Sequence, residues 1–125
     1  MRKKNSTNFS NEVAITENCP IAATFKMVGG RWKLMILWNL REKPLRYKEL
    51  HRSIPRISEK MLTQQLSVLI EDGWVTKKDF QTIPPHTEYH LSSLGKSFLP
   101  VLQKVYDWGK SKNIVAYVNS RTQLE

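Results

Sequence analysis

The chain has 125 residues, with 20 Lys and Arg against 11 Asp and Glu, a net charge of +9 at pH 7 and a pI near 9.9. That length suits one domain, and 40% hydrophobic with 25% charged residues is the make-up of a globular protein, which excludes wholesale disorder. So large a positive charge favours a polyanionic partner, whether DNA, RNA or an acidic membrane surface.

Residues 1–18 are polar and weakly patterned, as expected of a flexible N-terminal arm; MRKKNSTNFSNEV is basic but lacks the apolar stretch of a secretory signal. Cys19-Pro20 opens the first helix, because proline's missing N–H would be unpaired there anyway. Ile21, Phe25 and Val28 follow at helical spacing, and Gly29-Gly30 ends the element. A second helix is expected from about Arg31 to Leu40, with Leu34, Ile36, Leu37 and Leu40 apolar. The longest apolar run, Leu34 to Trp38, is too short to span a bilayer. The single cysteine has no internal disulfide partner, and the absence of signal, span and disulfide fits a cytoplasmic protein.

After the connector Arg41-Glu42-Lys43-Pro44, a short helix is predicted over Tyr47–Ser53, where Tyr47, Leu50 and Ile54 share a face. Ile54-Pro55-Arg56-Ile57 makes a turn, Ser58 caps a fourth helix running to about Asp72, and Gly73 stops it. The period then changes. Val75–Phe80 and Thr87–Leu91 read as two short strands joined by a hairpin loop, Gln81 to His86, that contains Pro84-Pro85. Ser92 caps a last helix carrying Leu94, Phe98, Val101, Leu102, Val105 and Trp108, with Pro100 expected to bend it; residues 119–125 are read as a tail. The expected fold is mainly α with a small β-hairpin.

Two helices joined by a short turn, the second opening with polar residues, describe a helix-turn-helix. At 100° per residue, Leu62, Leu66, Leu69 and Ile70 fall within roughly 50° of one direction. Lys60, Gln64, Ser67 and Glu71 point away, and Thr63 and Gln65 flank the boundary. Short polar side chains, one Lys and amides able to pair with adenine edges suit a major groove. A plain solvated helix face would also be polar, so the surroundings matter. Residues 41–60 hold seven basic side chains (Arg41, Lys43, Arg46, Lys48, Arg52, Arg56, Lys60) against Glu42, Glu49 and Glu59, a local net of +4. These charges sit where phosphates would flank a helix in the groove, and Lys77 and Lys78 extend them toward the hairpin, which would be the wing. Val101, Val105, Tyr106, Trp108, Ile114, Val115 and Tyr117 are more apolar surface than a terminal helix needs to cover so small a domain, which points to a dimer interface.

Other classes are weighed on the same residues. For an enzyme the candidates are Cys19, His51, His86, His90 and scattered carboxylates, but none has nucleophile or metal-ligand spacing and no glycine loop would cradle a phosphate. No catalytic residue, metal or cofactor is therefore expected. RNA readers present stacked aromatics on a sheet, whereas Trp32, Trp38, Trp74 and Trp108 lie in helices or at their ends, in apolar patterns typical of core. A winged helix that binds only protein stays open.

The segments CPIAATFKMVGGRWKLMIL (19–37), LRYKEL (45–50), ISEKMLTQQLSVLIEDGWV (57–75), PPHTEYHLSSLGKSFLPVL (84–102) and DWG (107–109) together resemble the HxlR-type winged helix-turn-helix regulators, relatives of the MarR group. The resemblance covers about three-quarters of the chain in one collinear order. It implies one domain over residues 19–118, acting as a homodimeric bacterial transcription regulator on double-stranded operator DNA with two half-sites. Helix 58–72 would be the recognition helix, with Ser58, Lys60, Thr63, Gln64, Gln65 and Ser67 as its DNA contacts. Lys33, Arg46, Lys48, Arg56, Lys77, Lys78 and His86 would contact the backbone and carry the wing, residues 75–91. The first and last helices would pair the subunits through Ile21, Phe25, Val101, Val105, Trp108 and Val115. The chain departs from the family at His86, where members often carry Arg; an imidazole, mostly neutral at pH 7, sits less firmly in an electronegative minor groove.

Cys19 matches the family's N-terminal Cys-Pro, which in some members senses electrophiles or oxidants. A helix N-terminus favours the thiolate. The alternative is a passive cap or a small apolar side chain. A small-molecule or oxidant effector is thus a candidate partner, and oxidation of a lone thiol must give an intersubunit or mixed disulfide, or alkylation.

Overall fold

The computed structural model describes residues 18–124, so the expected arm lies outside it but for Asn18. Helix α1 spans Pro20–Val28 behind an extended Cys19. It ends where the Gly29 N–H donates to the Phe25 carbonyl and Gly30 takes φ +95, a left-handed conformation that costs glycine little. Helix α2 (Lys33–Asn39) follows, then α3 (Tyr47–Ser53), which the Glu49 carboxylate starts by accepting from the Arg46 N–H at 2.9 Å. Helix α4 (Glu59–Glu71) begins where Ser58 Oγ accepts from the Met61 N–H at 3.0 Å, and stops at Gly73, φ +86.

Strands β1 (Val75–Asp79) and β2 (Thr87–Leu91) pair antiparallel, with Val75 opposite Leu91 and Asp79 opposite Thr87. The first strand ends one residue earlier than the sequence suggests. The Asp79 carboxylate accepts from the Gln81 N–H at 3.0 Å and Gln81 turns to φ +52, so the pairing ends once the Phe80 N–H has donated to the His86 carbonyl at 2.9 Å. Leu45, in the connector before α3, exchanges two backbone hydrogen bonds with Tyr89 and so fastens the hairpin to the helical body.

Helix α5 runs over Ser93–Ser111 with Pro100 inside it, and Ser92 Oγ accepts from the Gly95 N–H at 3.1 Å. The C-terminal region differs from expectation. Asn113 adopts φ +53, the conformation Asn tolerates better than most residues, and a separate helix α6 spans Ile114–Leu124, so that residues 119–124, read as a tail, are helical.

The core gathers Val28, Ile36 and Leu37 of the first two helices, Leu50 and Ile54 around α3, and Leu62, Leu66 and Leu69 of α4. Val75, Tyr89 and Leu91 of the hairpin and Leu102 of α5 complete it. The tryptophans divide. Trp74 is buried, its ring edge-on to Phe98 at 5.5 Å; Trp32 and Trp38 pack at the margin; Trp108, read as core, is 57% exposed. Its position on α5 puts it on the face that the body leaves uncovered.

Candidate nucleic-acid interface

The turn between α3 and α4 buries Ile54 and Ile57 and sets Arg56 at φ +69, with its side chain exposed. Tyr47 fixes the two helices together. Its hydroxyl donates to the Glu59 carbonyl at 2.9 Å and meets Thr63 Oγ1 at 2.9 Å. Since the phenolic hydrogen goes to the carbonyl, Thr63 is the donor in the second bond.

With Leu62, Leu66 and Leu69 buried, α4 leaves Lys60, Gln64 and Ser67 exposed. Three other expected contacts have partners inside the protein. Ser58 holds the helix cap, Thr63 is engaged by Tyr47, and the half-buried Gln65 amide donates to Met61 Sδ at 3.6 Å. Lys60, Gln64 and Ser67 are therefore the expected contacts on α4 that no other side chain among the described residues engages, while Thr63, though bonded, is exposed as well.

Beside this face, Arg46, Lys48, Glu49 and Arg52 of the α3 region and Pro85, His86 and Glu88 of the hairpin line a concavity of about 650 Å³. Arg52 escaped the sequence-based list of contacts, although it lies four residues after Lys48 and so on the same helix face. Lys77 and Lys78 are both exposed, on opposite faces of the strand. Lys78 Nζ lies 4.9 Å from the Phe80 ring centre. Lys33 is placed elsewhere: its ammonium donates to the Met27 carbonyl at 3.2 Å, joining the start of α2 to the end of α1.

Arg46 and His86, expected to contact DNA separately, contact each other. Arg46 Nη2 lies 2.6 Å from His86 Nδ1, and His86 Nε2 lies 2.8 Å from Glu88 Oε2. The imidazole also rests on Phe80, with ring centres 4.6 Å apart. His90 Nε2 approaches the other Glu88 oxygen at 3.4 Å. The His86 hydrogen bond, helped by the charges of His86 and His90 and opposed by partial desolvation, holds the Glu88 carboxyl below the usual carboxylate range. Burial, with Tyr47 nearby, pushes the Tyr89 phenol up. His51 stacks on Tyr47 with its Nε2 buried and unbonded.

A second surface is apolar. Ile21 is 70% exposed and Val115 74%, and Phe25, Val101, Val105 and Trp108 are also exposed. Ile21, Phe25 and Val101 line one hollow of about 250 Å³ with Pro20, Thr24 and Phe98. Val105 and Val115 line another of about 390 Å³ between α5 and α6. Cys19 is a free, half-buried thiol at the start of α1. Among the described residues no group of three or more His, Cys, Asp or Glu is placed to hold a metal, and no helix is long and apolar enough to cross a membrane.

The HxlR-like helix-turn-helix family profile matches residues 27–116, which takes in α2 to α5 and the hairpin. The chain belongs to this family. Its relatives include an HTH-type transcriptional regulator of Halalkalibacterium halodurans, 36% identical over 107 residues, covering 84% of this chain and 95% of that one. Among solved structures, a protein of Porphyromonas gingivalis assigned to the MarR family of transcriptional regulators is 37% identical with a TM-score of 0.72, covering 75% of this chain and 92% of that one. The oxidized form of the redox regulator HypR is 33% identical with a TM-score of 0.71, covering 74% and 96%. The helices and hairpin described above are thus the HxlR-type winged helix-turn-helix.

Proposed function

We propose that this HxlR-like chain is a cytoplasmic transcription regulator that binds double-stranded DNA sequence-specifically as a homodimer, with no enzymatic activity. One observation carries the reading: Lys60, Gln64 and Ser67 stand exposed on α4, while Lys48, Arg52 and Arg56 stand exposed on the helix and turn before it. In a major groove the Gln64 amide has the donor and acceptor needed for an adenine edge, and the flanking cations meet phosphates. The transcriptional regulators among its relatives support the same role. The exposed apolar residues of α1, α5 and α6 supply the dimer surface, since patches of this kind mark association sites. Titration with duplex DNA at several salt concentrations tests the reading. Steep salt dependence with a preferred sequence is expected; no binding at about 50 mM salt would leave an interaction module instead.

A second reading concerns regulation. Cys19 is partly accessible and caps the N-terminus of α1, the helix whose Ile21 and Phe25 carry part of the apolar surface, and a structural relative is the redox regulator HypR. Oxidation or alkylation at Cys19 would alter subunit pairing and so DNA affinity. DNA binding with and without diamide should differ for the wild type and not for Cys19→Ser; equal responses would remove the thiol from the mechanism.

A further inference from the structure

We propose that His86 is a proton-operated latch on Arg46, so that acidification releases Arg46 and strengthens the wing's grip on DNA phosphates. The inference rests on the DNA-binding reading above. It starts from the chemistry of three side chains in a row: Arg46, His86 and Glu88, joined at 2.6 Å and 2.8 Å.

A guanidinium has only donors, and an ionised carboxylate only acceptors. The ring nitrogen facing Arg46 must therefore accept, and the one facing Glu88 must donate. This arrangement admits a single state of His86, the neutral imidazole with its hydrogen on Nε2. Adding a proton puts an N–H on Nδ1, aimed at the N–H of Arg46. That contact turns repulsive, while the bond to Glu88 gains charge and persists. Glu88 stays ionised through this change, because its carboxyl titrates below the usual range and its contribution is lost only on further acidification through that lower range.

The surrounding charges set the direction of the effect. From α3 and its cap, Arg46, Lys48 and Arg52 face the concavity with Glu49; from β2, Glu88 faces it, with His90 beyond. From β1 and the loop, the ring neighbour is Phe80, with Lys78 over it. With His86 neutral the concavity carries three cations against two carboxylates, a net of +1, and the added proton makes it +2. It also frees the Arg46 Nη2 donor that Nδ1 had occupied. Both changes favour a phosphate between α3 and the hairpin. An arginine at position 86 would hold a cation there at every pH; histidine makes it conditional.

Two measurements test the latch. In the wild-type protein at about pH 8, imidazole ¹⁵N spectra should show His86 with Nε2 protonated and Nδ1 bare; a hydrogen on Nδ1 would overturn the proposal. Salt titrations with a mixed-sequence duplex of about 30 base pairs are then compared at about pH 8 and pH 5.5, within each protein. For the wild type the slope of log affinity against log salt should steepen by about 1, and affinity at low salt should rise about three- to tenfold on acidification. His86→Gln and His86→Arg should each lose that difference. A difference that survives in His86→Gln belongs to His51 or His90 and overturns the proposal. No DNA binding at either pH would overturn the DNA reading along with it, a result distinct from binding whose pH response ignores residue 86.

Discussion

The surface formed by α3, α4 and the hairpin and the surface formed by α1, α5 and α6 are built on opposite plans. On the first, polar side chains are already bonded to one another: Tyr47 to Glu59 and Thr63, Arg46 to His86, and His86 to Glu88. On the second, large apolar side chains such as Ile21, Val105, Trp108 and Val115 stand exposed. A hydrogen-bonded polar surface is stable in water without being covered, and its groups can exchange partners with a polyanion. An apolar surface lowers its free energy only by being covered. The first surface is thus suited to a hydrated, charged ligand and the second to another protein surface, here proposed to be a second copy.

The largest effect should come from the apolar side. Val105→Glu would place a carboxylate in the proposed interface, where burial without a partner costs several kcal/mol. Gel filtration at micromolar concentration should show a monomer, and affinity for a two-half-site operator should fall about 100-fold or more. A dimer unchanged by the substitution would separate this apolar surface from subunit pairing.

The two surfaces meet where α5 leaves the hairpin, and Gly95 lies at that join. A Cβ there would collide with the Trp74 carbonyl oxygen and press on Leu91, and the same carbonyl already accepts from Ser92. Gly95→Ala should destabilise the fold by about 1–3 kcal/mol, as overpacking does, read by denaturant unfolding. A fully wild-type midpoint would show that the packing there yields freely.

A smaller effect is expected from Tyr47→Phe, which deletes the hydroxyl joining α3 to α4 and keeps the ring. Loss of about 1 kcal/mol of stability is expected, because the Glu59 carbonyl and Thr63 hydroxyl lie near solvent and recover water. DNA affinity should fall beyond that stability loss if the angle between the two helices matters. An affinity that merely follows stability would make the tyrosine a structural brace only.

These residues also mark what the sequence made legible. Ser58, Gly73 and Ser92 announced their helix boundaries because capping and left-handed turns obey local rules, and the change of period after Gly73 foretold the hairpin. The helical wheel of α4 separated Leu62, Leu66 and Leu69 from Lys60, Gln64 and Ser67, since 3.6-residue periodicity needs no tertiary knowledge. The bond between Arg46 and His86 joins residues 40 apart and depends on how Leu45 pairs with Tyr89, which no local pattern contains. Thr63 looked free because its partner, Tyr47, lies on another helix. The break at Asn113 was missed because an asparagine within an apolar pattern reads as one more polar position. Local chemistry located the elements; which polar groups remain available to a ligand was decided by contacts between them.

The central claim is that the outer face of α4 reads base edges while the cations beside it hold phosphates. Its most direct test pairs Gln64→Ala with Lys48→Ala on a DNA sequence selected by the wild-type protein and on random duplex. Gln64→Ala should lose roughly 1–3 kcal/mol on the selected sequence, confined to one position of each half-site, and little on random DNA. Lys48→Ala should weaken both alike and flatten the salt slope by about 1. Equal losses by Gln64→Ala on both DNAs, with an unchanged slope for Lys48→Ala, would contradict the assignment of this face to the major groove.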